Sequence, residues 1–192
     1  MTRPGHAGGP AGHRVLERVA TGDTAALGDL YDAHARSVYS LALRILGDPS
    51  EAEDVVQDVF TQAWRQAARY DSRRATVTGW LLMMARSRSL DRLRARQARP
   101  DKTIATPLPD LASGDPGQEA EALGAEDVER LRAALKRLGD AARTPIELAY
   151  YEGLSQSAIA ERLGQPLGTV KTRMRTALAQ LREWLSQREG TS

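Results

Sequence analysis

The most chemically pointed part of this 192-residue chain is a run of hydroxyl and cationic side chains: Thr169, Lys171, Thr172, Arg173 and Arg175. Arginine and lysine reach guanine edges and phosphates, and threonine bonds to either, so such a set at the start of a helix suits the DNA major groove. That chemistry needs an element to aim it, and residues 155–185 read as a helix-turn-helix. Ala160 is small, so a second helix can cross close to the first. Gly164 suits the left-handed conformation that ends a helix in a tight turn. Val170 is a stiff apolar residue facing the angle between the helices. Ile159 and Leu163 add an i,i+4 apolar pair. Val170, Met174, Leu178, Leu181 and Leu185 are expected to continue an apolar stripe along the second helix. A plain αα-hairpin with a solvated basic face needs no such small residue, glycine and branched residue at this spacing.

Charge is patterned although the net value is only +2. Residues 48–60 hold five acids and no base. Residues 71–100 hold eight arginines against Asp71 and Asp91, which gives +6, and residues 167–188 give +4. Two basic surfaces with an acidic helix upstream point to nucleic acid at two places and a protein partner at a third.

The rest of the sequence narrows the class. Hydrophobic residues make up 41% and charged ones 27%, an ordinary soluble balance. There is no apolar run long enough to span a bilayer and no signal peptide, so a cytoplasmic protein is expected. With no cysteine, disulfides and thiolate metal sites are excluded. Histidines 6, 13 and 34 show no metal spacing, and His34 reads as a packing or helix-surface residue. No nucleophile–base pair, phosphate loop or catalytic carboxylate pair is found. Neither an enzyme nor a cofactor is expected.

Strand signals are nearly absent, so the fold class is all-α: two small helical domains on a linker. Residues 1–13 read as a disordered tail. A helical pattern begins near Arg14, and Leu27, Leu30, Tyr31, Val38, Leu41 and Ile45 share one face of a long helix or a broken pair. Gly47 stops it. Asp48-Pro49-Ser50-Glu51 starts the next helix, with an N-cap acid, proline at the first position and an acid at the third. That helix should bury Val55, Val56, Val59, Phe60, Ala63 and Trp64. Tyr70-Asp71-Ser72 breaks it, and a further helix runs from Thr78 or Trp80 to about Arg96. Residues 14–97 form the first domain. Residues 98–122, rich in proline and glycine and carrying −3, read as a mobile linker. Residues 123–188 form the second domain, and 189–192 a tail. Val128, Leu131, Leu135 and Leu138 follow 3–4 spacing, and a short helix around Pro145–Tyr151 leads into the helix-turn-helix.

In this order, both halves resemble a bacterial sigma factor of the extracytoplasmic-function group of the sigma-70 family, with some likeness to its SigK-like subgroup. Residues Asp48 to Phe60 resemble regions 2.1–2.2. Gly79-Trp80-Leu81-Leu82-Met83-Met84-Ala85-Arg86-Ser87-Arg88-Ser89-Leu90-Asp91-Arg92-Leu93-Arg94 resembles regions 2.3–2.4. Leu167-Gly168-Thr169-Val170-Lys171-Thr172-Arg173 resembles the region 4.2 recognition helix. The resemblance implies a transcription initiation factor. Asp54, Gln57, Asp58 and Phe60 would bind the clamp helices of the RNA polymerase largest subunit. Arg86, Ser87, Arg88, Asp91, Arg92 and Arg94 would hold the opened −10 strand of promoter DNA, with the Asp71–Thr78 loop. Thr169, Lys171, Thr172, Arg173 and Arg175 would read −35 as duplex. Trp184 and Leu185 are core residues or contacts to the flap of the second largest subunit. The linker would thread near the active-site cleft. An anti-sigma factor, the cytoplasmic part of a membrane protein, would mask these surfaces. Many members carry Asn where this chain has Ser87, so its −10 preference is expected to differ. The end at Ser192 suggests no appended regulatory domain. Two rival readings are a dimeric helix-turn-helix regulator, which would bind palindromes without polymerase, and a sigma-like adapter that titrates partners without directing transcription.

Overall fold

The computed structural model describes residues 10–98, 131 and 133–186. All regular elements among these residues are helical, and the chain divides into two compact units. Residues 1–9, nearly all of the 98–122 linker, Val128 and the 189–192 tail lie outside the described residues.

In the amino-terminal unit, α1 (Pro10–Ala20) and α2 (Thr24–Leu46) form the broken pair. Residues 10–13, read from sequence as tail, form the first turn of α1. The break falls at Thr21-Gly22-Asp23. Asp23 caps α2 by accepting from the Ala26 amide at 3.1 Å. Arg18 reaches forward to Asp23 at 2.8 Å and to Asp29 at 3.3 Å, linking the end of α1 to the start of α2. The Ala26 amide first, then Arg18, holds the Asp23 carboxyl below its ordinary range.

Gly47 ends α2 in the left-handed region at φ 67°, and its amide bonds the Leu43 carbonyl at 2.7 Å. Asp48 then caps α3 (Pro49–Gln66), accepting from the Glu51 amide at 2.9 Å. The sequence pattern of N-cap acid and N1 proline thus becomes an abrupt change of direction. A 3-10 turn at Ala67–Arg69 and the extended Tyr70 lead to α4 (Val77–Gln97), capped by Thr76 on the Gly79 amide at 3.1 Å. The four helices bury one core from Leu16, Val19, Leu30, Val38, Val55, Val59, Val77 and Leu81. Trp64 is only half-buried. His34 is buried at 3% exposure among these residues, so it packs rather than faces water.

In the carboxy-terminal unit, residues 133–137 are helical and α5 (Asp140–Tyr151), α6 (Gln156–Arg162) and α7 (Leu167–Ser186) follow. The sequence suggested a helix from Pro145. The helix instead starts at Asp140 and carries Pro145 inside it, buried. Leu148, Ile159, Ala160, Val170 and Met174 form the unit's core.

Candidate functional site

The turn of the helix-turn-helix is built by hydrogen bonds that the glycine permits. Ser155 caps α6 through the Ala158 amide at 3.2 Å. At the other end Gly164 adopts φ 59°, its amide bonds the Glu161 carbonyl at 3.1 Å, and the Gln165 amide bonds the Ala160 carbonyl at 2.9 Å. This double closure satisfies carbonyls at the end of α6 and redirects the chain into Pro166. The Pro166 carbonyl then accepts from Thr169 and Val170, starting α7.

On α7 the buried stripe is Val170, Met174, Ala177 and Leu181. Leu178, expected in that stripe, is 52% exposed. The spacing explains it: Ala177 completes the 4-3-4 steps from Val170 to Leu181, which leaves Leu178 beside the polar face. Lys171, Thr172 and Arg175 are exposed on that opposite face, while Thr169 is half-buried at its edge. Arg173 points back into the turn, where its Nη1 donates to Gln165 Oε1 at 2.8 Å. Trp184 is half-buried, with the Arg137 guanidinium 4.4 Å above its ring.

On α4 the arginines divide between faces. Ser87, Asp91 and Arg94 share one exposed stripe, and Arg94 Nη1 donates to Asp91 Oδ1 at 3.0 Å. Met83, one turn before Ser87, is 57% exposed and extends the stripe with an apolar side chain. The sequence reading passed over it, although its place four residues before Ser87 was the available signal. Arg86 is half-buried. Arg88 and Arg92 turn toward α3. Arg88 donates to Gln62 Oε1 at 2.9 and 3.1 Å. Arg92 bridges Asp58 Oδ2 at 2.9 Å and Asp54 Oδ2 at 3.0 Å. Hydrogen bonding to Asp58, supported by Asp54, raises the already high pKa of Arg92.

The acidic face of α3 therefore contains Asp54, Gln57 and Asp58 with Arg92 between the two carboxylates. Phe60, expected both to be buried by α3 and to join this face, is 5% exposed in the core. It belongs to the Val56–Val59–Ala63 stripe, and its ring packs 4.9 Å from that of Tyr31. Tyr31, which sequence placed on the buried face of α2, is the exposed aromatic instead. It lines an open groove of about 420 Å³ with Arg36, Tyr39, Glu53, Val56 and Gln57.

The loop before α4 is braced from inside. The Tyr70 hydroxyl donates to the Ala75 carbonyl at 2.8 Å, and its ring packs 5.3 Å from Trp80 and 6.0 Å from His13. Burial first, then the Asp71 charge, pushes the phenol pKa up, so it stays a donor. Asp71 accepts from the guanidinium and then the amide of Arg73, each at 3.0 Å, which holds its carboxyl below the usual range. Among the described residues no His, Asp and Glu group could hold a metal ion, and no helix is long and apolar enough to cross a membrane.

Two separate helical units, one ending in a helix-turn-helix and one carrying an acidic helix beside an arginine-rich one, match known proteins in the same order. Residues 30–99 match the family described as Sigma-70 region 2, and residues 134–183 match Sigma-70, region 4. The chain belongs to the sigma-70 family of RNA polymerase sigma factors, in its extracytoplasmic-function group. It is similar to the ECF RNA polymerase sigma factor SigK of Mycobacterium bovis strain BCG / Pasteur 1173P2, at 37% identity over 174 residues, 89% of this chain and 91% of that one. The SigK of Mycolicibacterium vanbaalenii is 38% identical over 173 residues, 89% of this chain and 87% of the other. Among solved structures, Rhodobacter sphaeroides SigE in complex with the anti-sigma ChrR aligns at 30% identity and a TM-score of 0.46, covering 88% of this chain and 95% of that one. Sigma factors direct RNA polymerase to promoters and are initiation factors rather than catalysts by themselves.

Proposed function

We propose that α7 reads the −35 element as duplex, with Lys171, Thr172 and Arg175 on base edges and phosphates and Thr169 at the rim. The observation that carries this is the division of α7 into a buried Val170–Leu181 stripe and an exposed face bearing those three side chains. The core fixes the helix, so the polar face is presented rigidly to the groove. Arg173 contributes by tying α7 to the turn through Gln165, with a phosphate as its DNA contact.

In the amino-terminal unit, the Met83–Ser87–Asp91–Arg94 stripe and the Tyr70-braced loop receive the opened −10 strand, with Arg86 at its edge. An unstacked base needs both a pocket and a cationic rail. The α3 face at Asp54, Gln57 and Asp58, with Tyr31 in place of Phe60, docks on the clamp helices of core polymerase, where an acidic face steers a basic partner. Trp184 and Leu185 lie toward the flap. The protein acts in the cytoplasm and catalyses no reaction alone. A membrane-anchored anti-sigma factor masks its surfaces in resting cells; this step rests on membership of the group.

The test is transcription by purified core polymerase across a library of spaced −35/−10 promoters, with and without the chain. Specific transcripts that need both components are expected. Core binding without transcripts would mark a titrating adapter, and tight polymerase-independent binding to palindromes a dimeric regulator.

A further inference from the structure

We propose that Arg92 is a positioning residue for the polymerase-facing carboxylates of α3 rather than a DNA contact. It is the central rung of an arginine ladder that α4 lays across α3. The inference rests on the reading of α3 as the docking face for polymerase.

Arg88, Arg92 and Arg96 stand at i, i+4 and i+8, so they line one stripe of α4. Their partners run in the opposite order along α3. Arg88 takes Gln62, Arg92 takes Asp58 and Asp54, and Arg96 lies 3.8 Å from Glu51 and donates to the Leu46 carbonyl at 3.1 Å. The stripe bearing Ser87, Asp91 and Arg94 faces elsewhere. The arginine-rich sequence of α4 thus serves two surfaces.

Two aspartates one turn apart repel each other and sample several rotamers. A planar guanidinium with one nitrogen on each carboxylate removes both problems. Arg92 uses only the Oδ2 atom of each acid. The Asp54 and Asp58 side chains remain 58% and 44% exposed, against 32% for Arg92, so each can present its Oδ1 outward. The triad keeps a net charge of −1, which repels a phosphate and attracts a cation. Its fitting partner is a basic polymerase helix with arginine or lysine donors spaced by one turn. Exposed pairs like these add little to folding stability, so presentation of the acids is the larger consequence.

The test measures affinity of the full chain for core polymerase in Arg92→Ala, Arg92→Lys, an Asp54→Asn/Asp58→Asn double variant and the combined triple variant. Thermal melts check folding, and Arg92→Lys serves if Arg92→Ala does not fold. Arg92→Ala should weaken core binding by about tenfold and Arg92→Lys by less, since an ammonium holds one acid at a time. In the double-variant background Arg92→Ala should cost less than about twofold more, because the groups act as one unit. At sigma concentrations that saturate core, promoter preference and strand opening should be unchanged. A silent Arg92→Ala beside an impaired double variant overturns the inference alone. So does a full loss in the double-variant background, or lost strand opening at saturation. A double variant that binds core normally overturns the reading of α3 itself, and the inference with it.

Discussion

Arg175 is exposed in the middle of the polar face of α7, clear of the turn that engages Arg173. If it makes a bidentate contact to guanine, Arg175→Ala in the holoenzyme should relax discrimination at one −35 position by ~1–3 kcal/mol. A promoter library reads this directly, and equal weakening on every sequence would reassign the side chain to a phosphate. His34 supports a different kind of prediction. It is buried with Nδ1 unpartnered, and burial pushes its pKa below the ordinary histidine value. The unfolded chain takes up a proton near pH ~6.5 while the folded chain does not. The stability tied to this residue is therefore complete above that pH and is lost as pH falls through it toward the folded pKa. The melting temperature of the amino-terminal unit should drop between pH 7.5 and 5, and the drop should be smaller in His34→Gln. Identical pH profiles for the two proteins would remove His34 as the cause. At this scale the sequence was legible wherever chemistry is local. Asp48 and Gly164 act on neighbours a few residues away, and Val170 packs on residues of the same motif at a fixed spacing, so their types and spacing sufficed. Arg92 was not legible, because its partners Asp58 and Asp54 lie 34 and 38 residues earlier. Tyr31 was misplaced for a related reason, and Phe60, read as both buried and polymerase-facing, is buried: which of two apolar residues is covered depends on the helix packed against them.

The helix-turn-helix permits a paired test of how an element is made. Gly164 lies at φ 59° and a Cβ there would meet nothing within 4 Å, so strain alone opposes a side chain. Gly164→Ala should destabilise the carboxy-terminal unit by ~1–2 kcal/mol. Gly168 has the same open space but lies within the first turn of α7 without a positive φ. Gly168→Ala should stabilise the same unit by up to ~1 kcal/mol through helix propensity. Urea melts followed by Trp184 fluorescence in a Trp64→Phe/Trp80→Phe background report both, and shifts of the same sign would show that backbone conformation does not set the difference. Element boundaries were less legible than element existence. Proline at 145 suggested a helix start, yet α5 begins at Asp140 behind Gly139, which offers no side-chain cap. The division of α1 from α2 was left open because the apolar pattern runs through it. Asp23 closes that break with its cap and its Arg18 pair, a signal present in the sequence but outweighed by periodicity.

Two small units joined by a proline- and glycine-rich stretch were visible in composition, since charge and helix formers both change across residues 98–122. Much of their internal packing followed from helical spacing, with Tyr31, Trp64 and Leu178 the exceptions. The mutual engagement of α3 and α4 did not, because an arginine-rich helix next to an acidic one reads equally well as two free surfaces. The whole molecule then poses a question of valency. On the proposed reading each unit would contact DNA through only a few side chains, and two weak sites gain little from each other unless something fixes their separation. Polymerase would change this by holding both units at one spacing, so that the second contact becomes intramolecular at a high effective concentration. The free chain should therefore bind promoter fragments weakly, with a steep salt dependence from its arginines and lysines, and with no sensitivity to the −35/−10 separation. With core polymerase present, moving the two elements apart by a few base pairs should lower transcription by about tenfold or more, because one of the two contacts is forfeited. Binding measured at several salt concentrations, beside transcription on the same spacing series, separates the two regimes. Tight, spacing-sensitive binding by the chain alone would mean that its two units are already held in register without polymerase.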